Sequence, residues 1–192
     1  MSRIVGILLA AGSSRRFGAD KRLHPLADGT PMALASARHL AAVCARTIVV
    51  IRPDDTVLAS LLAEKWLEIV VCAEAEQGMG HSLACGVAAT ADAAGWLVAL
   101  GDMPYIQPVS YHAVLEAMQG GAALARPIHN GCPGHPVAFG AAYRPELLAL
   151  TGDQGGKAII EADPDALVLC TVDDPGVLKD VDHPLQIVTT DN

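Results

Sequence analysis

Residues 4–9, I-V-G-I-L-L, run directly into a small, polar and basic segment, A-A-G-S-S-R-R-F-G-A-D-K-R, at residues 10–22. An aliphatic run without polar alternation predicts a strand buried on both faces, and so a sheet covered on each side. The glycines of the following loop, Gly12 and Gly18, permit close approaches that a Cβ would forbid, so the amides of residues 12–17 can turn inward around phosphate oxygens. Arg15, Arg16, Lys21 and Arg22 are four of the chain's thirteen basic residues. Such a concentration in a chain of net charge -8 points to an anion site, and a solvated basic turn is the alternative.

Spacing excludes two common phosphate loops. A Walker loop has four residues between its glycines and then Lys with Ser or Thr, whereas here five residues separate Gly12 from Gly18 and Ala19 follows. A dinucleotide fingerprint needs G-x-G-x-x-G, which this loop lacks. What remains is G-x-S-x-R-x-G-x-x-K, carried by Gly12, Ser14, Arg16, Gly18 and Lys21. This pattern resembles the signature loop of the nucleotidyltransferases that activate small phosphorylated molecules, most closely the molybdenum cofactor nucleotidyltransferases. The resemblance implies a single-domain, Rossmann-like three-layer α/β sandwich with a mostly parallel sheet, akin to the nucleotide-diphospho-sugar transferases. It assigns nucleotide binding to Ala10, Ala11, Gly12, Ser13, Ser14, Arg15, Arg16 and Lys21, with Arg16 and Lys21 also catalytic.

The 192 residues suit one domain spanning 1–192, and 52% apolar residues supply its core. Seven aromatic side chains are too few for a base-stacking platform, and the negative charge repels polyanions, so nucleic acid is not an expected partner. Met1 and Ser2 lead straight to the first strand without a signal peptide's charged start and cleavage site. Apolar stretches are interrupted by Arg38, His39 and Arg46, and by Asp92, before reaching membrane-spanning length. A soluble, cytoplasmic protein is the expectation. Five dispersed cysteines without a C-x-x-C pair read as reduced thiols.

Along the chain, helices are predicted over 31–44, with Thr30 as N-cap, over 53–65, from 83 to about 93, after Pro108 and over 143–150. Strands are predicted over 46–51, 67–72, 95–101, 121–127, 136–139 and 166–172. This alternation builds a parallel sheet covered by helices on both faces, with its ligand at the carboxyl ends of the strands. Asp102, just past the strand at 95–101, falls level with the first loop, where a hard cation can bridge it to phosphate oxygens.

The remaining motifs take their roles from the resemblance. The turn in E-A-E-Q-G-M-G-H-S-L corresponds to a Gly-Met-Ser-like segment that holds base and sugar, implicating Gln77, Gly78, Gly80 and Ser82; His81 or Ser82 helping the helix begin is the alternative. Gly-Asp-Met-Pro matches the family's metal motif at Asp102. His135, in Gly-His-Pro, either faces the acceptor or closes a hairpin, and Cys132-Pro133 stands where the family pattern has a basic residue. The loop T-G-D-Q-G-G-K implies acceptor contacts from Gly152, Asp153, Gly155 and Lys157, with a helix-capping turn as the alternative. Among the final acids, mostly solvated by expectation, Asp182 matches a second metal ligand.

The reaction implied is magnesium-dependent transfer of a nucleoside monophosphate to the terminal phosphate of molybdopterin or molybdenum cofactor, manganese being the substitute metal. Ala10-Ala11-Gly12 resembles the loops of family members that use CTP, whereas GTP users tend towards Ala-Gly-Gly. A guanylyltransferase and a non-catalytic cofactor carrier are the alternatives. A molybdoenzyme client of the xanthine dehydrogenase type is the implied recipient, with no membrane partner.

Overall fold

The computed structural model describes residues 4–12, 17, 19–63 and 67–182. β1 (Ile4–Leu9) is buried throughout, because successive side chains enter different cores. Ile4, Leu8 and Ala10 join one apolar layer, while Val5, Ile7 and Leu9 join the other. Both faces of the strand are covered, so no polar alternation remains to be seen in its sequence.

Parallel to β1 runs β2 (Thr47–Ile51), with β3 (Glu68–Val71) beyond it, and β4 (Gly95–Leu100) lies on the opposite side of β1. The connections carry α1 (Met32–Ala41), α2 (Thr56–Ala63) and α3 (Met79–Ala88). The chain thus steps outward to β3 and returns across β1, leaving a switch point between β1 and β4 where ligands bind in such sheets. After α4 (Pro108–Gln119) come β5 (Leu124–His129), β6 (Cys132–Pro133) and β7 (Val137–Gly140), then α5 (Arg144–Leu148), α6 (Lys157–Ala162) and β8 (Leu167–Thr171). β7 is antiparallel to both β4 and β5, β6 is antiparallel to β5, and β8 is parallel to β5. The sheet is mixed but mostly parallel. Side chains of α1, α2 and α4 fill one core, and those of α3, α5 and α6 the other.

Several element ends differ from expectation for local reasons. Thr30 does not cap α1, since its hydroxyl donates to Asp28, and Pro31 takes the N-cap position. α3 stops at Ala88, where the chain goes over to tighter turns: Thr90 N donates to the Val87 carbonyl and Ala93 N to the Thr90 carbonyl, while Arg144 donates to the carbonyls of Thr90 and Ala91. Asp174, expected among the solvated acids, is 1% exposed. Its carboxylate accepts from Gln107 N, Ser110 Oγ and Gly176 N, and so ties the segment leading to Asp182 onto the start of α4. Among the described residues no helix is long and apolar enough to cross a membrane.

Candidate active site

Past the carboxyl ends of β1 and β4 the chain encloses a cavity of about 520 Å³, within the range of small-ligand sites. Ala10, Ala11 and Gly12 line it on the side of the first loop; Gln77, Gly78 and Ser82 line it at the start of α3. A Cβ at Gly12 would meet no atom within 4 Å, so the first loop presents bare backbone to whatever enters. Ser13, Ser14, Arg15, Arg16 and Gly18 lie outside the described residues.

At the rim of this cavity two carboxylates converge on one cation. Lys21 Nζ donates to Asp102 Oδ2 at 2.8 Å, to Asp182 Oδ1 at 3.1 Å and to the Val181 carbonyl at 3.2 Å. Asp182 reaches the cluster because Val181 N donates to the Asp102 carbonyl at 2.9 Å. Burial alone would lower the Lys21 pKa, but Asp102 and Asp182 outweigh it and hold the ammonium above its ordinary value. Two acids around a cation suit a hard divalent ion, which commonly takes one or two carboxylates and completes its shell with water and phosphate oxygens. Among the described residues no group of three metal-ligating side chains occurs, so phosphate and water oxygens would have to supply the rest.

Arg22 lines the cavity beside Lys21, but its charge is taken up by the scaffold. Its guanidinium is 3% exposed, donates to the Ala10 carbonyl at 2.7 Å, and is enclosed by Asp20 and Asp55. Burial opposes its charge, yet the two carboxylates raise its pKa. Asp55 also accepts from Arg52 N and Nη2; although burial acts the other way, Arg22 and Arg52 bring its pKa down to about 2. This buried network fixes the end of β1 from behind. Arg52 itself lines the cavity and was missed in the sequence. Its position one residue past β2, beside β1 in the sheet, was the available signal.

The two later glycine segments form one packed unit. Gly80 N donates to the Gly152 carbonyl at 2.8 Å, and Gly152 N donates to His81 Nδ1 at 3.0 Å. Gly78 has φ +129, and a Cβ there would lie 2.2 Å from the Gly152 carbonyl carbon. Gly80 therefore serves loop packing and does not line the cavity, whereas Asp153 does. Gly155 sits against Met79, its Cβ position 2.8 Å from Met79 Cε. Lys157 is 82% exposed and faces Glu161 at 3.5 Å, apart from Lys21 and its carboxylates. His135 precedes β7; burial, reinforced by Arg126 and opposed by Asp102, lowers its pKa to about 4.

A cavity at the switch point, lined by a glycine loop and rimmed by paired carboxylates, belongs to a Rossmann-like fold shared with nucleotidyltransferases. The chain belongs to the MobA-like NTP transferase domain family, whose model matches residues 6–176. It is 28% identical to purine catabolism protein PucB of Bacillus subtilis over 94% of this chain and 92% of that protein. Molybdenum cofactor cytidylyltransferase of Escherichia coli is 31% identical over 71% of this chain and 70% of its own length. The crystal structure of Rv0371c from Mycobacterium tuberculosis superimposes with TM-score 0.85 at 25% identity, covering 96% of this chain and 95% of that one. A complex of that mycobacterial protein with manganese superimposes with TM-score 0.76 at 21% identity over 89% and 88% of the two chains.

Proposed function

We propose that this nucleotidyltransferase transfers CMP from CTP to the terminal phosphate of molybdopterin or molybdenum cofactor, releasing pyrophosphate. The observation that carries the reading is the convergence of Lys21, Asp102 and Asp182 at the rim of a cavity lined by the first glycine loop. The relatives named for cofactor cytidylylation and purine catabolism are compatible with it.

An acceptor phosphate monoester has a second pKa near ~6 and is largely dianionic at neutral pH, so its oxygen needs no general base. That oxygen attacks the α-phosphorus of CTP; the new P–O bond forms as the bond to the β-phosphate bridging oxygen breaks, and pyrophosphate carries away the electron pair. The work left to the protein is to bring two anions together and to stabilise charge on the leaving group. Lys21 and the amides of the first loop do this for the triphosphate, with Arg16 in the same role. Gln77, Gly78 and Ser82 hold base and sugar, and Ala11 narrows the base pocket against a purine. A divalent ion held by Asp102 and Asp182, magnesium by preference, supplies charge neutralisation and alignment of phosphate oxygens when bound. The reaction needs no membrane, and its product would pass to a molybdoenzyme client.

The test is to incubate the protein with each of the four ribonucleoside triphosphates, magnesium and cofactor, and to identify the adduct by mass. A cytidylylated product with stoichiometric pyrophosphate is expected. A guanylylated product overturns the nucleotide assignment, and no adduct with any of the four overturns the reaction.

A further inference from the structure

β4 ends towards Asp102, and two further strands bring side chains to the same edge of the sheet. Ala125 of β5 pairs with Ala138 of β7, and Val137 of β7 pairs with Val98 of β4. Leu124 and Val137 enter the core shared with α3. Arg126, two residues beyond Leu124, therefore rises on that same face of the sheet.

The surroundings of Arg126 differ from those of the other enclosed arginines. Arg22, Arg46 and Arg52 each face carboxylates, and Arg144 meets the carbonyls that follow α3. Arg126 is half-buried, and its Nε and Nη2 both donate to a single carbonyl, that of Gly134, at 3.1 and 2.9 Å. Among the described residues no carboxylate lies within 4 Å of it. Next to Gly134, the Nδ1 atom of His135 is buried without a hydrogen-bond partner, and His135 feels the charges of both Arg126 and Asp102. A desolvated guanidinium with donors left unused and no carboxylate beside it, packed next to a buried ring, is an environment completed by an anion.

We infer that Arg126 anchors the phosphomonoester of the acceptor on the β5–β7 side of Asp102. The inference rests on the reaction proposed above, since it names the group that holds the attacking phosphate. The guanidinium fork matches two phosphate oxygens and offsets the repulsion between the incoming dianion and the triphosphate.

The test uses the whole chain saturated with magnesium and a non-hydrolysable α,β-methylene analogue of CTP. Inorganic phosphate is titrated in and its binding followed by phosphorus NMR for the parent, Arg126→Met and Arg126→Lys. The parent binds phosphate; Arg126→Met weakens this by about tenfold or more, as for loss of a hydrogen bond to a charged group, and Arg126→Lys recovers part of it. Analogue affinity and melting temperature stay unchanged in Arg126→Lys, which keeps the charge should the Met variant fold poorly. Equal phosphate affinity in parent and Arg126→Lys together with Arg126→Met, or no phosphate binding by the parent, overturns the anchor. A parallel turnover assay separates the two readings. Arg126-dependent phosphate binding without any dinucleotide product sinks the cytidylyl transfer alone, whereas product formed at an unchanged acceptor KM in Arg126→Met sinks the anchor alone.

Discussion

Lys21 Nζ donates to Asp102 Oδ2 across 2.8 Å although 81 residues separate them in the chain. The lysine side chain is 12% exposed and shares its charge with Asp182, so one ammonium offsets two carboxylates at the rim of the cavity. A triphosphate entering the cavity offers this ammonium new oxygens. On the proposed reading, exchange of carboxylate for phosphate would free both acids for a divalent ion, and nucleotide and metal binding would be linked through one side chain.

Removing that ammonium separates the two roles. In nucleotide-free Lys21→Met, manganese binding, followed by the EPR signal of the free ion, should tighten by about tenfold, equivalent to ~1.4 kcal/mol. Turnover should fall by at least ~100-fold, as on losing a transition-state donor. Asp102→Ala should lose both manganese binding and turnover. Near-normal turnover in both folded variants would refute the cluster's catalytic role.

The network behind the first loop sets a stability prediction. Asp55 and Arg22 are each 3% exposed, so Asp55→Asn leaves a buried guanidinium with part of its counter-charge removed. Urea unfolding at pH 7 should show a loss of about 3 kcal/mol, at the low end for a broken buried pair because Asp20 remains. Asp54→Asn, at a side chain 72% exposed, should leave the midpoint unmoved. The pH dependence follows from a folded pKa of about 2 against an ordinary 3.8. This stabilisation is fully present above pH 4 and is lost as pH falls through 2, amounting to about 2 kcal/mol. A parent and variant that lose stability in parallel over that window would contradict the assignment.

Residues 4–9 and Asp102 were legible in the sequence because their signals are local: an aliphatic run makes a two-faced strand, and a carboxylate after it must lie at the sheet's edge. The family resemblance carried Asp182. The pairing of Arg22 was not legible, because charge clustering along a chain does not reveal which charges Asp20 and Asp55 neutralise. Gly80 and Gly152 looked like parts of two separate sites, since a contact between positions 72 residues apart leaves no periodic trace. Asp174 was lost in an acidic stretch for the same reason: its three donors come from Gln107, Ser110 and Gly176.

That contact between the glycine segments has its own consequence. A methyl group at position 80 would stand 2.6 Å from the Gln154 carbonyl oxygen and 2.8 Å from that of Thr151, with only backbone to yield. Gly80→Ala should lower stability by about 1–3 kcal/mol and shift Gly78, which packs on Gly152 and lines the cavity. Nucleotide KM should rise by about tenfold even though Gly80 itself does not line the cavity. A variant with unchanged melting temperature and nucleotide KM would show that the two segments part without cost.

Ala11 is 7% exposed and lines the cavity two residues beyond the end of β1. On the proposed reading, its methyl group takes up space that a purine would need and a pyrimidine would not. Discrimination by one such group in an apolar pocket is worth ~1–3 kcal/mol, so Ala11→Gly should move the CTP-to-GTP ratio of kcat/KM towards GTP by about tenfold. The measurement is a competition at equal concentrations of the two triphosphates, with both adducts counted by mass. A loosened loop would depress turnover with both nucleotides, whereas removal of a steric barrier raises GTP use while CTP turnover holds within about threefold. An unaltered ratio would place selectivity elsewhere on the wall, where Arg52 and Gln77 present polar groups to the same space.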